Sequence, residues 1–510
     1  MRYVVTAEQM KIAELNAEML GVSAFSLMER AGEATADIIE RRLGGVAGGR
    51  AVILCGRGNN GGDGIALGAS LVERDMSVTA VFVNGEPSSE TALQCFDKYC
   101  VQHKTFTRMN YRGREHVVRD LLAEADIICE CVCGTGFRGS QIEPYLSELF
   151  SYVRFECVNA LRLSIDLPCG VTTNDGQIVR GAFQPDLVVS LGGVKLGALS
   201  HRAFQFCGEI LYADIGIPAE CYTEYAALFT TDEVLDWFPK RTVASHKGTF
   251  GRLLNIAGSV NYPGAAVLST KGALRSGVGV MVLCSAPSVL AAAAVSTPEA
   301  VQLPILQNGK FSTDNQLELT EQLDKATAVS IGCGLGTSAT AKRVVNFVLK
   351  NAKTPIILDA DGINLVSDNI NSLKNGKPLL LTPHPGEFSR LTGLGIEDIQ
   401  ADRVGHARRF AMKHGVHLLL KGARTVIAAA DGRAAVVSSG CAALARGGSG
   451  DVLTGIIGAL AAGGVPLFEA AMLGAHVHGL AADKLTEQLS SFGVLPSDVA
   501  EFLPFIRAGL

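Results

Sequence analysis

The sequence predicts two consecutive α/β domains, each built on a parallel sheet with crossover helices. Three observations predict it. Short apolar runs of strand length alternate with stretches of helical periodicity along the chain. Several of these runs end in glycine-rich corners that open the next helix, as strand-to-helix turns of parallel sheets do. The alternation fades between Ile217 and His246, where Ile217-Pro218, Trp237-Phe238-Pro239 and Lys240-Arg241 fall, and restarts after Lys247. A boundary is therefore predicted near residue 222, giving domains over 1–222 and 223–510.

The elements follow in order. Residues 6–42 read as two helical pieces divided at Gly21, because Met10, Ala13, Leu15 and Met19, then Leu27, Met28 and Ala31, recur at helical steps. Residues 50–55 read as a strand, 65–73 as a helix and 77–83 as a strand. Further strands are expected at 127–132, 163–166 and 187–191. In the second domain they are expected at 253–257, 279–284, 328–331, 355–358, 378–381, 417–420 and 425–429.

Composition excludes several classes. Hydrophobic residues make up 48% of the 510 residues, enough for large cores. Charged residues make up 19%, against about 25% in an average soluble chain, which excludes an intrinsically disordered chain. A net charge of −5 offers no global attraction for nucleic acid or an anionic membrane, so neither is an expected partner. The 13 cysteines form no C-x-x-C pair, and the N-terminus MRYVVTAEQMKIAELN has no apolar signal core. A cytoplasmic location is expected, with most cysteines acting as small buried hydrophobes. The longest apolar stretch, Leu453 to Leu473, is broken by Gly463, Gly464, Pro466 and Glu469, so no membrane span is expected.

The glycine-rich corners carry the chemistry. The first, Cys55-Gly-Arg-Gly-Asn-Asn-Gly-Gly-Asp-Gly64, matches G-x-G-x-x-G at Gly56, Gly58 and Gly61 and suits a phosphate at a helix N-terminus. A dinucleotide fingerprint also wants an acidic residue about 20 positions on. That region reads Val83-Asn-Gly, leaving Glu86 as a displaced ribose partner. A plain tight turn is the competing reading, although two asparagines beside an aspartate exceed what a turn requires. The second corner, Gly134-Thr-Gly-Phe-Arg-Gly-Ser140, follows the strand that holds Glu130. The third, Ser164-Ile-Asp-Leu-Pro-Cys-Gly170, puts Asp166 at a strand's carboxyl end, where open parallel sheets bind ligands. A carboxylate there can move a proton or hold a cation.

In the second half, Ala445-Arg-Gly-Gly-Ser-Gly-Asp-Val-Leu-Thr-Gly455 places a glycine run before a helix and Asp451 in its first turn. Backbone amides there can stabilise a transferring phosphoryl group while Asp451 takes the proton of the accepting hydroxyl. The alternative is that Asp451 only satisfies the helix N-terminus. Gly332-Cys-Gly-Leu-Gly336, Thr382-Pro-His-Pro-Gly-Glu387 and Lys421-Gly-Ala-Arg-Thr425 follow other predicted strands. No G-x-x-x-x-G-K-[ST] loop occurs, which excludes a Walker-type ATPase. Cys129, Cys131 and Cys133 alternate along a strand and read as core packing rather than a zinc site. His476 and His478 lie roughly 200° apart around a helix axis, so they read as packed rather than metal-bound.

Taken in order, Leu27-Met-Glu-Arg-Ala-Gly32, Asn59-Asn-Gly-Gly-Asp63, Gly134-Thr-Gly136 and Asp166-Leu-Pro-Cys-Gly170 resemble the NAD(P)H-hydrate epimerase family. His246-Lys-Gly248, Gly258-Ser259 with Pro263-Gly-Ala-Ala266, Gly334-Leu-Gly336, His384-Pro-Gly-Glu387, Lys421-Gly422 and Gly447-Gly-Ser-Gly-Asp451 resemble the ADP-dependent NAD(P)H-hydrate dehydratase family. The resemblance covers nearly the whole chain. It implies a Rossmann-like three-layer N-terminal domain followed by a ribokinase-like C-terminal α/β domain. It implies a bifunctional isomerase and lyase that repairs NADH and NADPH hydrated on the nicotinamide ring (NADHX and NADPHX). The first half would interconvert the R and S hydrates. The second would use ADP to dehydrate the S hydrate, giving NAD(P)H, AMP and phosphate.

The same resemblance implies roles for residues. Asn59, Asn60, Gly61, Gly62, Asp63, Gly134, Thr135, Gly136, Phe137, Arg138, Gly139 and Ser140 would hold the hydrate in the first half, with Asp166 catalytic beside the reacting ring. Potassium would sit at Asn60, Glu130 and Cys169. The family usually has aspartate where Glu130 stands and serine where Cys169 stands, and a thiol suits a hard cation poorly. In the second half Ala265, Gly334, His384 and the catalytic Asp451 would hold the hydrate, and Lys421, Gly422, Ala423, Arg424, Thr425 and Gly450 would line ADP, with Mg2+ as its companion. Lys195 is a further candidate for charge stabilisation or else a solvated loop lysine. A homo-oligomer is the expected assembly. Two other readings stay open: a ribokinase-like small-alcohol kinase, and an N-terminal nucleotide-binding module without catalysis.

Overall fold

The computed structural model describes residues 1–305, 311–374 and 376–508. They form two compact units, Arg2–Ala226 and Ala227–Leu510, the second including Met1. The division falls at Ala226 rather than at residue 222, because the intervening segment packs into the first unit. Tyr222 stacks on Tyr3 at 4.3 Å between ring centroids, and the Ala226 amide donates to the Val4 carbonyl at 2.8 Å.

The first unit carries a parallel sheet in the order Thr107–Asn110, Ser77–Phe82, Arg50–Cys55, Ile127–Cys131, Leu161–Ile165, Leu187–Leu191, Glu209–Ala213. Apolar residues alternate between its faces. Ile53, Cys55 and Ala80 meet helices Ala24–Leu43 and Asn59–Val72 through Met28, Ile39, Leu67 and Leu71. Val52, Leu54 and Val81 meet helices Glu115–Ala123 and Pro144–Glu156 through Val118, Leu122, Leu149 and Phe150. Both faces of the sheet are thus covered, the three-layer arrangement a buried parallel sheet requires. The first helix, Ala7–Met19, starts from a Thr6–Gln9 capping box, and Ser23 caps the second.

One boundary differs from the prediction in a way that matters. The helix expected at 65–73 begins at Asn59, so Asn59–Asp63 are its first turn rather than a preceding loop. Glycine permits this early start: a Cβ on Gly61 would lie 2.0 Å from the Gly56 carbonyl oxygen, so only hydrogen lets the helix close against the strand end.

The second unit's sheet runs Val301–Pro304, Val280–Ser285, Arg252–Ile256, Ala328–Ile331, Ile356–Leu358, Leu379–Leu381, His417–Leu420, Val426–Ala428, Ala434–Val436, Ala227–Phe229. It is parallel through His417–Leu420. The next two strands pair antiparallel, against the expectation of a parallel sheet throughout. The link across 421–425 is too short for a crossover helix, so the chain turns back as a hairpin. Helix Ser449–Ala462 is buried along almost its whole length between the sheet and helices Pro263–Arg275 and Leu467–Gly493. No helix of the described residues is long and apolar enough to cross a membrane.

Candidate functional sites

At the carboxyl ends of the first sheet opens a cleft of about 550 Å³, a size that holds a small ligand. Gly58, Asn59, Asn60 and Asp63 line it from the first corner, Cys133, Thr135 and Gly136 from the second, and Asp166 from the third. Lys195 lies at its floor, and the first helix contributes Glu14.

Asp166 has φ of +72°, and the Leu167 amide donates across it to the Ile165 carbonyl at 2.9 Å. A non-glycine held in that region costs about 1–3 kcal/mol. Here the turn presents the carboxylate to the Leu191 amide, 3.3 Å away, and to the Lys195 ammonium. Lys195 is not a solvated loop lysine. It is 1% exposed, and its Nζ donates to the Leu191 and Gly193 carbonyls at 2.6 and 2.9 Å. Both carboxamide atoms of Asn60 are buried with no hydrogen-bond partner, an arrangement that costs free energy unless a ligand fills it. Asn59 instead accepts from the Ser89 hydroxyl at 2.6 Å. Enclosure by protein, then the charges of Asp166 and Glu14, push the Asp63 carboxyl well above the usual range. Glu14 keeps contact with solvent, yet the protein packed around its carboxyl raises it too, with Asp166 adding to the rise and Lys195 opposing it.

Some expected residues lie elsewhere. Phe137, Arg138, Gly139 and Ser140 are not part of the cleft wall. The chain turns away after Gly136 because the Phe137 ring packs against the core on the other face of the sheet, leaving Arg138, Gly139 and Ser140 exposed. Glu86 is exposed and 3.9 Å from Arg108, so it is no ribose partner in this cleft.

The potassium set does not fit. Glu130 is fully buried, and its carboxylate accepts from the Ser164 hydroxyl at 2.7 Å and the Val132 and Cys169 amides at 2.8 and 3.1 Å, with the Cys133 amide also donating. A carboxylate offers about four acceptor sites, so these donors saturate it. The extra methylene of glutamate lets it reach them. The Cys169 thiol faces Cys133, not an oxygen cage. Of the three side chains, Asn60 alone offers an oxygen without a hydrogen-bond partner.

The second site forms where helix Ser449–Ala462 begins. Lys421, at the end of His417–Leu420, is 2.7 Å from Asp359, which ends Ile356–Leu358 and is 1% exposed. The Thr454 hydroxyl donates to the same carboxylate at 2.7 Å, and the Cys333 thiol lies 3.7 Å from it. Burial alone would raise Asp359, but Lys421 and the hydroxyls of Thr454 and Thr382 hold it below the usual carboxylate range. Burial would lower Lys421, but Asp359 and Glu387 keep its ammonium above its ordinary value. The Lys421 Nζ is 3.3 Å from where a side chain on Gly450 would begin, so one cation stands directly over the helix N-terminus. Asp451 projects from that first turn. Burial, then repulsion from Asp359, pushes its carboxyl up to about 6.

Gly334 packs against Ala265 at the next corner. His384 caps helix Pro385–Thr392: its Nδ1 accepts from the Gly386 amide at 3.0 Å, and Glu387 accepts from the His384 amide at 2.8 Å. The Lys421 amide donates to the Pro383 carbonyl at 2.8 Å, joining that cap to the lysine corner. Gly422–Thr425 form a tight turn in which the Thr425 hydroxyl donates to the Gly422 carbonyl at 2.9 Å, and Arg424 reaches the Ser438 carbonyl.

Sequence reading missed two residues. Asp359 ends a strand just as Asp166 does, and it precedes Ala360 at φ +47°; its position after the predicted strand at 355–358 was the available signal. Glu14 stands four residues after Met10 and three before Ala17, at the edge of the buried stripe of its helix, and that spacing was its only signal.

The NAD(P)H-hydrate dehydratase family matches residues 253–504, and the YjeF-related protein N-terminus matches 24–197. The bifunctional NAD(P)H-hydrate repair enzyme of Moorella thermoacetica is 33% identical over 525 residues, covering 100% of this chain and 97% of that protein. The Escherichia coli K12 enzyme of the same name is 30% identical over 487 residues, covering 95% and 89%. A solved ribokinase-like superfamily protein from Enterococcus faecalis is 28% identical with a TM-score of 0.50, covering 56% of this chain and 96% of its own. Matched in both halves and along its full length, the chain belongs to the bifunctional NAD(P)H-hydrate repair enzymes.

Proposed function

We propose that the second half dehydrates the S hydrate of NADH or NADPH with ADP, and that the first half interconverts the R and S hydrates to feed it. The observation that carries this reading is Asp451: a carboxylate beside a lysine-topped helix N-terminus, placed to act on a hydroxyl as a phosphoryl group arrives. Hydroxide is a poor leaving group, and phosphorylation makes it a good one. In this mechanism Asp451 takes the hydroxyl proton while the oxygen attacks the β-phosphorus of ADP, releasing AMP. The amides at 447–450 and Lys421 stabilise the charge on the transferring group. The ring nitrogen then expels phosphate, and loss of a proton from the neighbouring carbon restores the double bond. Asp359 holds Lys421 in place and stays ionised throughout. Among the described residues no three acidic, histidine or cysteine side chains converge on an ion, so magnesium fits only as a companion of the nucleotide's phosphates. Asp361, one oxygen of which accepts from the Gly336 amide at 2.8 Å, lies near enough to raise the Asp451 carboxyl and would offer such an ion its second oxygen.

The test supplies S hydrate with ADP, then ATP, and follows recovery of reduced-nicotinamide absorbance. The expected result is recovery with stoichiometric phosphate; a stable phosphoester instead would favour the alcohol kinase.

For the first half, the hydrated carbon carries both a hydroxyl and the ring nitrogen, so it is a hemiaminal. Epimerisation needs one group to take the hydroxyl proton as the carbon–nitrogen bond opens, and another to protonate the nitrogen; closure on the opposite face reverses both. The cleft holds two sets of suitable groups, Asp166 with Lys195 and Asp63 with Glu14. We assign Glu14 the protonating role because the protein packed around its carboxyl raises it above its ordinary value, which favours the acid form, and because it lines the cleft with Asp166 and Lys195. Glu14→Gln is expected to slow conversion of the R hydrate by about 10²-fold, with dehydration of the S hydrate unchanged and Glu14→Asp recovering part of the rate. An unchanged R-hydrate rate in Glu14→Gln removes the residue from the mechanism.

A further inference from the structure

Two thiols face each other at the edge of the first cleft. The Sγ atoms of Cys133 and Cys169 lie 3.2 Å apart. A disulfide bond is about 2.05 Å long, so a small movement of either segment would join them. Cys133 is half-buried and forms part of the cleft wall, within reach of a small molecule that enters. Cys169 is 1% exposed and accessible only past its neighbour. Their approach is set by the backbone rather than by side-chain rotation alone. The sealed Glu130 carboxylate accepts from the amides of both residues, so one anchor fixes both chain segments. The other cysteines offer a contrast. Cys129 and Cys131 are fully buried in the core, and the half-exposed Cys441 faces the Thr486 hydroxyl at 3.2 Å.

We propose that Cys133 and Cys169 form a reversible dithiol–disulfide couple, oxidised by small-molecule disulfides entering the cleft, and that the bond slows the reaction of that cleft. The order of events follows from access. Cys133 loses its proton and attacks one sulfur of the small disulfide. That bond breaks, and the first small thiolate leaves and takes up a proton from water. Cys169 then loses its proton and attacks the Cys133 sulfur, and the second small thiol leaves. Two protein thiols together lose two electrons and two protons, and one small disulfide gains them. A reduced thiol pool reverses both steps.

The bond would tie the corner carrying Thr135 and Gly136 to the corner carrying Asp166. Displacing reacting groups by a fraction of an ångström is enough to slow catalysis, so the oxidised protein is expected to epimerise about tenfold more slowly. Formation of the bond is independent of the proposed function; only this consequence rests on it.

The test equilibrates the full-length protein with glutathione disulfide against reduced glutathione, quenches in acid, alkylates the remaining thiols and maps the peptides. The expected result is a Cys133–Cys169 cross-linked peptide with the loss of two hydrogens, reversed by excess reduced glutathione and absent in both Cys133→Ser and Cys169→Ser. Each protein's R-hydrate rate is read as a ratio of oxidised to reduced sample, so an effect of either serine on the basal rate cancels. The wild-type ratio should fall and the variants' ratios should stay near one. Full alkylation of both cysteines at the most oxidising ratio would overturn the proposal. So would a Cys133 adduct that never resolves, or a cross-linked protein that epimerises as fast as the reduced one. If reduced wild type converts R hydrate no faster than it converts spontaneously, the epimerase reading fails, and the peptide map still decides the couple.

Discussion

Asp451→Asn is expected to lower the rate of dehydration by about 10²–10⁴-fold, the range a positioned general base contributes, while ADP still binds. The asparagine keeps the shape and a carbonyl oxygen but cannot accept the hydroxyl proton. Lys421, Gly450 and the amides of the helix N-terminus are unchanged, so nucleotide affinity is the control that separates lost chemistry from a lost site. The wild-type pH profile gives a second readout. The Asp451 carboxyl is pushed up to about 6, by burial and by Asp359. Its basic form therefore disappears as pH falls through that value, and the dehydration rate should fall with it. An unperturbed aspartate would hold the rate to about two units lower. The same elevation means that folding disfavours the ionised form, so Asp451→Asn should also raise the thermal unfolding temperature of the second unit. Retained turnover in the variant, or an acid limb near pH 4, would take Asp451 out of the base role.

Lys421→Met is expected to destabilise the second unit by about 3–5 kcal/mol, the usual result of stripping one partner from a buried ion pair. Asp359 is 1% exposed, and Lys421 at 2.7 Å is its charge partner. Thr454 and Thr382 continue to hydrogen-bond the carboxylate but bring no charge. Urea unfolding should show the lowered midpoint. Adding Asp359→Asn to the variant should recover most of the loss, since the buried charge is then gone as well. A destabilisation below about 1 kcal/mol, the value of an exposed ion pair, would mean that water reaches Asp359 in solution. Nucleotide binding should weaken in both variants, because the cation over the helix N-terminus is absent from each.

Much of the fold was legible because strands, glycine corners and helices leave local signals. The apolar run of residues 50–55 and the helical spacing of Met10, Ala13, Leu27, Met28 and Ala31 do not depend on distant partners. Asp166, Asp451 and the lysine corner were legible for the same reason: each stands at the end of a strand or the start of a helix, and parallel sheets gather such ends together. Other features were not. The short strands Arg2–Val5, Thr107–Asn110 and Ala434–Val436 carry too few residues for a periodic signal, and the hairpin at 417–436 looks locally like two more parallel strands.

The sequence by itself determined the two-domain α/β plan, the family, and the places of Asp166 at a strand end and Asp451 at a helix start, since all of these rest on neighbours in the chain. The tertiary structure alone decided which charges are buried and what they face. It sealed Lys195 against Asp166 and brought Asp359 under Lys421. It used Glu130 to bind two cysteine-bearing segments, and it set Glu14, at the edge of a helix's buried stripe, in the wall of a cleft. The physical reason is that burial and pairing are set by residues dozens to hundreds of positions apart, and no local pattern records them.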